Sequence, residues 1–147
     1  MSSTYLSLYY HLVFSTRNRE PSISTNWRRQ LHEYLGGSVK GLKGQSLGVG
    51  GTDDHVHLLV QLTATHRLAD FMRELKKASS FWAIENGTTA FAWQEGYAAL
   101  TVSASAVTEV RRYIQDQENH HRHQSFREEV LTLLRRSSVE VDERYFD

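Results

Sequence analysis

The hydrophobic period of this chain switches between the two-residue repeat of a strand and the repeat of a helix in one fixed order, which narrows the fold more than any other feature. Residues 5–15 alternate, with Leu6, Leu8, Tyr10, Leu12 and Phe14 on one face and Tyr5, Ser7, Tyr9, His11 and Val13 on the other. A polar turn over 17–21 follows, and then Trp27, Leu31, Tyr34, Leu35, Val39 and Leu42 recur at helical spacing, with Ser24 or Thr25 placed to cap the helix. Residues 45–51 read as a short strand and Asp53–Asp54 as a turn. Residues 55–62 alternate again, turning Val56, Leu58, Val60 and Leu62 to a core and His55, His57, Leu59 and Gln61 away from it. A second helical stripe holds Leu68, Phe71, Met72, Leu75, Ala78, Ser79 and Trp82, and residues 97–103 make a fourth strand. Ser105 is placed to cap a third helix that buries Val107, Val110 and Ile114, and residues 125–136 predict a short terminal helix.

Strand, helix, strand, strand, helix, strand is the split βαβ order. It predicts an α+β, ferredoxin-like antiparallel sheet with helices on one face and appended C-terminal helices. The second face of such a sheet is expected to be open for a ligand or another subunit. The chain has 147 residues, no internal repeat and one proline, which suits one domain over 1–147. With no cysteine, any metal must be held by histidine, carboxylate or amide groups. The N-terminal apolar run is studded with Ser, Tyr and His and reads as a strand, not a signal peptide or membrane span, so the cytoplasm is the expected compartment. Net charge is zero, but the last twenty residues hold six acids and three arginines, leaving 14 basic against 11 acidic groups in residues 1–127. That surplus permits nucleic acid as a partner without arguing for it.

Two His-x-His triplets occur, and geometry separates them. On a strand, positions i and i+2 share a face with Cα atoms roughly 6.5–7 Å apart, so two imidazoles can converge on one ion. On a helix the same spacing turns the side chains about 200° apart. His55 and His57 lie in the clean alternation; His121 and His123 follow a helix. The first pair is the chelate candidate, although two histidines on an open sheet face would serve equally as exposed or hydrogen-bonded polar groups. Tyr113 and Gln117, at i and i+4, share one face of the third helix, and His120 and His121 extend it. An exposed helix edge would carry the same pair.

Taken together, YHLVFSTRNR, VGGTDDHVHLLV, LKKASSFW, FAWQEGYAALTVS and YIQDQENHHRHQSF resemble the HUH endonucleases over nearly the whole chain. Within that group they resemble the single-tyrosine transposases of small insertion sequences and the related REP-associated tyrosine transposases. The resemblance implies that His55 and His57 are metal ligands, Gln117 the third ligand and Tyr113 the nucleophile, with Mg²⁺ or Mn²⁺ as the ion. It implies cleavage and rejoining of single-stranded DNA at hairpin-flanked ends through a 5′-phosphotyrosine. It also implies a homodimer in which the tyrosine helix of one subunit completes the partner's site. Tyr113 has no second tyrosine one turn away, which favours the single-tyrosine branch. Candidates for phosphate contacts are Arg17, Arg19, Arg73, Lys76 and Lys77, with Trp93 and Tyr97 as stacking partners for bases. Rival readings are a replication or transfer nickase, a domesticated or regulatory hairpin-binding protein, and a hydrolytic metalloenzyme using a metal-bound water.

Overall fold

The computed structural model describes residues 3–121 and 123–142. Arg122, at the centre of the second His triplet, and both extremities of the expected domain lie outside them. The elements follow as β1 (Tyr9–Ser15), α1 (Arg28–Gly41), β2 (Gln45–Gly51), β3 (His55–Gln61), α2 (Leu68–Asn86), β4 (Ala98–Val102), α3 (Val107–Gln115), α4 (Gln117–His120) and α5 (Phe126–Arg136). The four strands form one antiparallel sheet in the order β2-β3-β1-β4, the split βαβ arrangement that the sequence order predicts. No helix among the described residues is long and apolar enough to cross a membrane.

The main core lies between the sheet and α1 and α2. Leu31, Leu35 and Val39 from α1 and Phe71, Met72 and Leu75 from α2 close over Leu12, Phe14, Val56, Leu58 and Val60. Each such side chain contributes about 1.5–3 kcal/mol by leaving water, so this layer fixes the sheet on which everything else is mounted. Trp27, Phe91 and Trp93 extend the layer past the end of β1 through edge-to-face contacts, with Phe14 and Trp93 at 4.7 Å and Phe91 and Trp93 at 4.8 Å between ring centroids.

The second face is not open, contrary to the expectation from sequence. Val130 and Leu134 of α5 pack on Val13 and Leu100, with Phe126 and Leu133 beside them, and α3 lies across β2 and β3. The reason is visible in the strands: β1 and β3 are buried on both faces, so His11, Val13, His55, His57 and Leu59 need a cover as much as their core-facing neighbours do. That cover comes from the chain's own C-terminal helices.

Element ends moved for local reasons. β1 begins at Tyr9, where pairing with Gln61 and Val102 begins, while Tyr5 stands in solvent. Ser24 accepts from the Asn26 amide in the turn ahead of α1 rather than capping it, and Ser105 falls in a 3-10 turn, Ala104–Ala106, before α3. Ser125 does cap α5, accepting from the Glu128 amide at 3.2 Å.

Candidate active site

His55 opens β3 directly after the Asp53–Asp54 turn, and His57 follows on the same strand face, which is the face roofed by α3 and α5. Both are fully buried, with ring centroids 5.1 Å apart. Each ring is oriented through its Nδ1 atom. His55 Nδ1 donates to the Asp54 carboxylate at 2.8 Å, and His57 Nδ1 lies 2.7 Å from His11 Nε2 on the neighbouring strand. Their Nε2 atoms are thereby left to face the roof. A carboxylate or a second group behind a histidine is how metal-binding imidazoles are held in one orientation and tautomer.

The roof brings in the other half of the constellation. α3 approaches β2 where two glycines, Gly48 and Gly50, leave no side chain in the way, and Arg111 Nε donates to the Leu47 carbonyl at 2.7 Å to hold it there. The helix breaks at Asp116 (φ −104°, ψ 25°), so the expected continuous helix is two segments, and Gln117 starts the second, buried at 1% exposure. Its Oε1 sits 2.9 Å from His55 Nε2 while its Nε2 donates to Glu129 Oε2 at 3.0 Å. With Asp54 requiring a proton on His55 Nδ1 and Glu129 requiring the amide NH₂ of Gln117, two acceptors are left facing each other across that 2.9 Å. A metal ion held by both would reconcile the contact.

Glu129, which reasoning from sequence missed, lies at the centre. It projects from α5 with 2% exposure and receives His57 Nε2 and His121 Nε2 on Oε1, each at 3.1 Å, and Gln117 Nε2 and the Tyr113 hydroxyl on Oε2. His55, His121 and Glu129 present ligand atoms all within 4.8 Å of one another. Asp54, read from sequence as a turn residue, and His11, read as an off-core strand residue, are the groups that orient the histidines. His121 and His123 lie in a turn after α4, and His123 is exposed. His121 alone folds back into the site, its ring 4.6 Å from that of His55.

Burial and charge set the protonation. Burial lowers His57 to about 4 and His11 to about 3, the carboxylate of Glu129 only partly opposing it, so both are neutral near pH 7. Burial would raise Glu129, but hydrogen bonds from His121 and His57 overcome it and hold the carboxyl well below the usual range. Burial would likewise raise Asp54, and its hydrogen bond with His55 prevails and lowers it. Burial of the Tyr113 phenol, joined by its hydrogen bond to Glu129 and the charge there, pushes it well above its usual value. The donor set is three imidazoles, an amide and a carboxylate, nitrogen and oxygen groups without sulfur, which fits a divalent ion.

The remaining residues singled out from sequence fall elsewhere. Arg19 and Tyr97 line one cleft of about 620 Å³ between β4 and α5, together with Gln94 and Leu100. Arg17 sits exposed in the turn after β1, and Lys77 is exposed on α2, as is Arg73, which pairs with Asp70 at 3.0 Å. The Lys76 ammonium donates to the carbonyls of Gln94 at 2.7 Å and Gly96 at 2.8 Å, tying down the loop before β4. Trp93 is not available for stacking on a base: it is buried between Phe14 and Phe91, and its N–H donates to Ser79 Oγ.

A family model described as "Transposase IS200 like" matches residues 4–117. A provisionally assigned transposase from Deinococcus radiodurans R1 superposes with a TM-score of 0.64 at 25% identity, covering 80% of this chain and 96% of that one. The structure of a REP-associated tyrosine transposase bound to a REP hairpin superposes with a TM-score of 0.55 at 15% identity, covering 78% of this chain and 70% of that one, which speaks to the fold alone. No curated protein shows a significant match.

Proposed function

The chain belongs to the family of IS200-like transposases, and from that premise we propose that it cuts and rejoins single-stranded DNA at hairpin-flanked ends through a covalent bond to Tyr113. The observation that carries this reading is convergence. Tyr113, Gln117, His55 and His57 come from segments more than fifty residues apart, yet all four reach the same buried carboxylate or its immediate neighbours. His55, His57 and Gln117 would hold a divalent ion, which when bound supplies Lewis-acid stabilisation and a template for the scissile phosphate. Tyr113 Oη then attacks phosphorus in line. The new P–O bond forms as the P–O3′ bond breaks, the phenol proton is lost, and the 3′ oxygen leaves as a hydroxyl, giving a 5′-phosphotyrosine. Attack by a free 3′-hydroxyl reverses the step and joins strands with no other energy source.

A cleft of about 640 Å³ lined by Arg28, Arg29, His32, Gly50 and Gln117 opens beside the ligands, and its cationic groups suit a nucleic-acid backbone. Within this one chain the tyrosine segment reaches its own His pair, so exchange between subunits is not needed to assemble the residues. A homodimer remains part of the proposal because excision must bring two ends together.

The experiment is incubation with Mg²⁺ or Mn²⁺ and single-stranded DNA from both flanks of the chain's own gene, followed by a denaturing gel. A covalent protein–DNA adduct on hairpin-bearing single strands, absent from the matched linear duplex, is the expected result. Efficient cutting of the duplex without an adduct would replace this reading with a hydrolytic metal-dependent nuclease.

A further inference from the structure

Glu129 lies outside residues 4–117, the stretch that matches the family model, and it is carried by α5, the helix that covers the second face of the sheet. Resting on the proposed metal site, we propose that Glu129 is itself a ligand of the divalent ion, supplied by α5, with His121 as the residue that positions it.

Three observations lead there. The first is charge. Imidazoles and an amide are neutral, whereas hard divalent cations are bound chiefly through anionic oxygen, and Glu129 is the carboxylate buried among these ligands. The second is spacing. Adjacent ligands of an octahedral ion with bonds of about 2.0–2.1 Å stand about 2.9 Å apart. The corresponding separations here are 2.9 Å from His55 Nε2 to Gln117 Oε1 and 3.1 Å from His57 Nε2 to Glu129 Oε1, with His55 Nε2 to Glu129 Oε1 longer at 3.7 Å. The third is count. His55, His57, Gln117 and Glu129 make four ligands and leave two octahedral positions for phosphate oxygen and water, while His121 holds Oε1 at 3.1 Å.

The test is calorimetric titration of the full chain with Mn²⁺ in the absence of DNA, for the wild type, Glu129→Gln and Tyr113→Phe. Glu129→Gln should weaken Mn²⁺ binding at least about tenfold, whereas Tyr113→Phe, which removes a different partner of the same carboxylate, should change it less than about threefold. Hydrogen exchange of wild-type residues 126–136 should slow when Mn²⁺ is added, since the ion fastens α5 to the sheet. That readout stands even if Glu129→Gln disturbs folding. Unchanged or tighter Mn²⁺ binding by Glu129→Gln, or faster exchange in α5 with the ion, would overturn the proposal by marking Glu129 as a plug that the ion expels. Wild-type protein that binds no Mn²⁺ would overturn the metal site altogether, a failure distinct from that of Glu129 alone.

Discussion

Gly50 is where the sheet and the tyrosine helix meet most closely, and substituting alanine there tests whether that closeness sets the chemistry. A Cβ on Gly50 would lie 2.9 Å from the carbonyl carbon of Ile114 and closer still to its oxygen, with Ile114 Cγ2 at 3.1 Å. Ordinary contact is about 3.5 Å, so the two backbones must part by more than about 1 Å. The contact is backbone on one side, and no side-chain rotation relieves it. Ile114 is fully buried and stands between Tyr113 and the turn that leads to Gln117, so the displacement passes directly to both. Overpacking of this kind costs about 1–3 kcal/mol, which for a chain this long lowers Tm by roughly 3–10 °C. A shift of about 1 Å in a catalytic group costs on the order of 100-fold in rate. Gly50→Ala should therefore form phosphotyrosine adduct about 100-fold more slowly than wild type at a temperature where both are folded, as measured by single-turnover gel assay beside a melting curve. Wild-type adduct rates in Gly50→Ala would refute the claim that this close approach positions Tyr113.

Tyr113→Phe should abolish adduct formation while DNA affinity stays within a few-fold of wild type in an equilibrium binding assay; any residual adduct removes Tyr113 as nucleophile. His55→Ala and His57→Ala should each eliminate metal-dependent cleavage, and His123→Ala should leave it unchanged. His121→Ala, which the sequence reading treats like His123, should now weaken Mn²⁺ binding about tenfold, because His121 holds Glu129. The metal-free protein should lose stability between pH 6.5 and 4: His57 and His11 are lowered from 6.5 to about 4 and about 3, so the unfolded chain binds more protons there and stability rises with pH. His121, whose folded value is raised, works in the opposite sense but is one group against three, since burial also lowers His32 to about 4. Urea midpoints that stay flat or climb as pH falls through this window would contradict the assignment of neutral buried histidines.

Much of the fold was legible because two periodicities alternate in an order that few topologies accept. Val56, Leu58 and Val60 sit on the core face as the alternation requires, and Leu31, Leu35 and Val39 form the helical stripe. The second face was misread because His11, His55 and His57 look solvent-facing in a pattern; they are polar groups buried together, and only the placement of α5 reveals their cover. Glu129 had no local signal. It is one acid in an amphipathic helix of mixed charge, on the same turn as the exposed Glu128, and its significance arises from a 72-residue separation from His57. Asp54 could have been found, since an acid directly before a strand histidine is placed to take its Nδ1 proton.

The central claim, that Tyr113 becomes covalently joined to DNA, is tested most directly by digesting the protein–DNA adduct and reading the modified peptide by mass spectrometry. The account predicts a 5′-phosphonucleotide on Tyr113 alone, formed only with a divalent ion and lost when a free 3′-hydroxyl strand is added back. A modified residue other than Tyr113, or cleaved DNA whose 5′ phosphate is free from the outset, would contradict it.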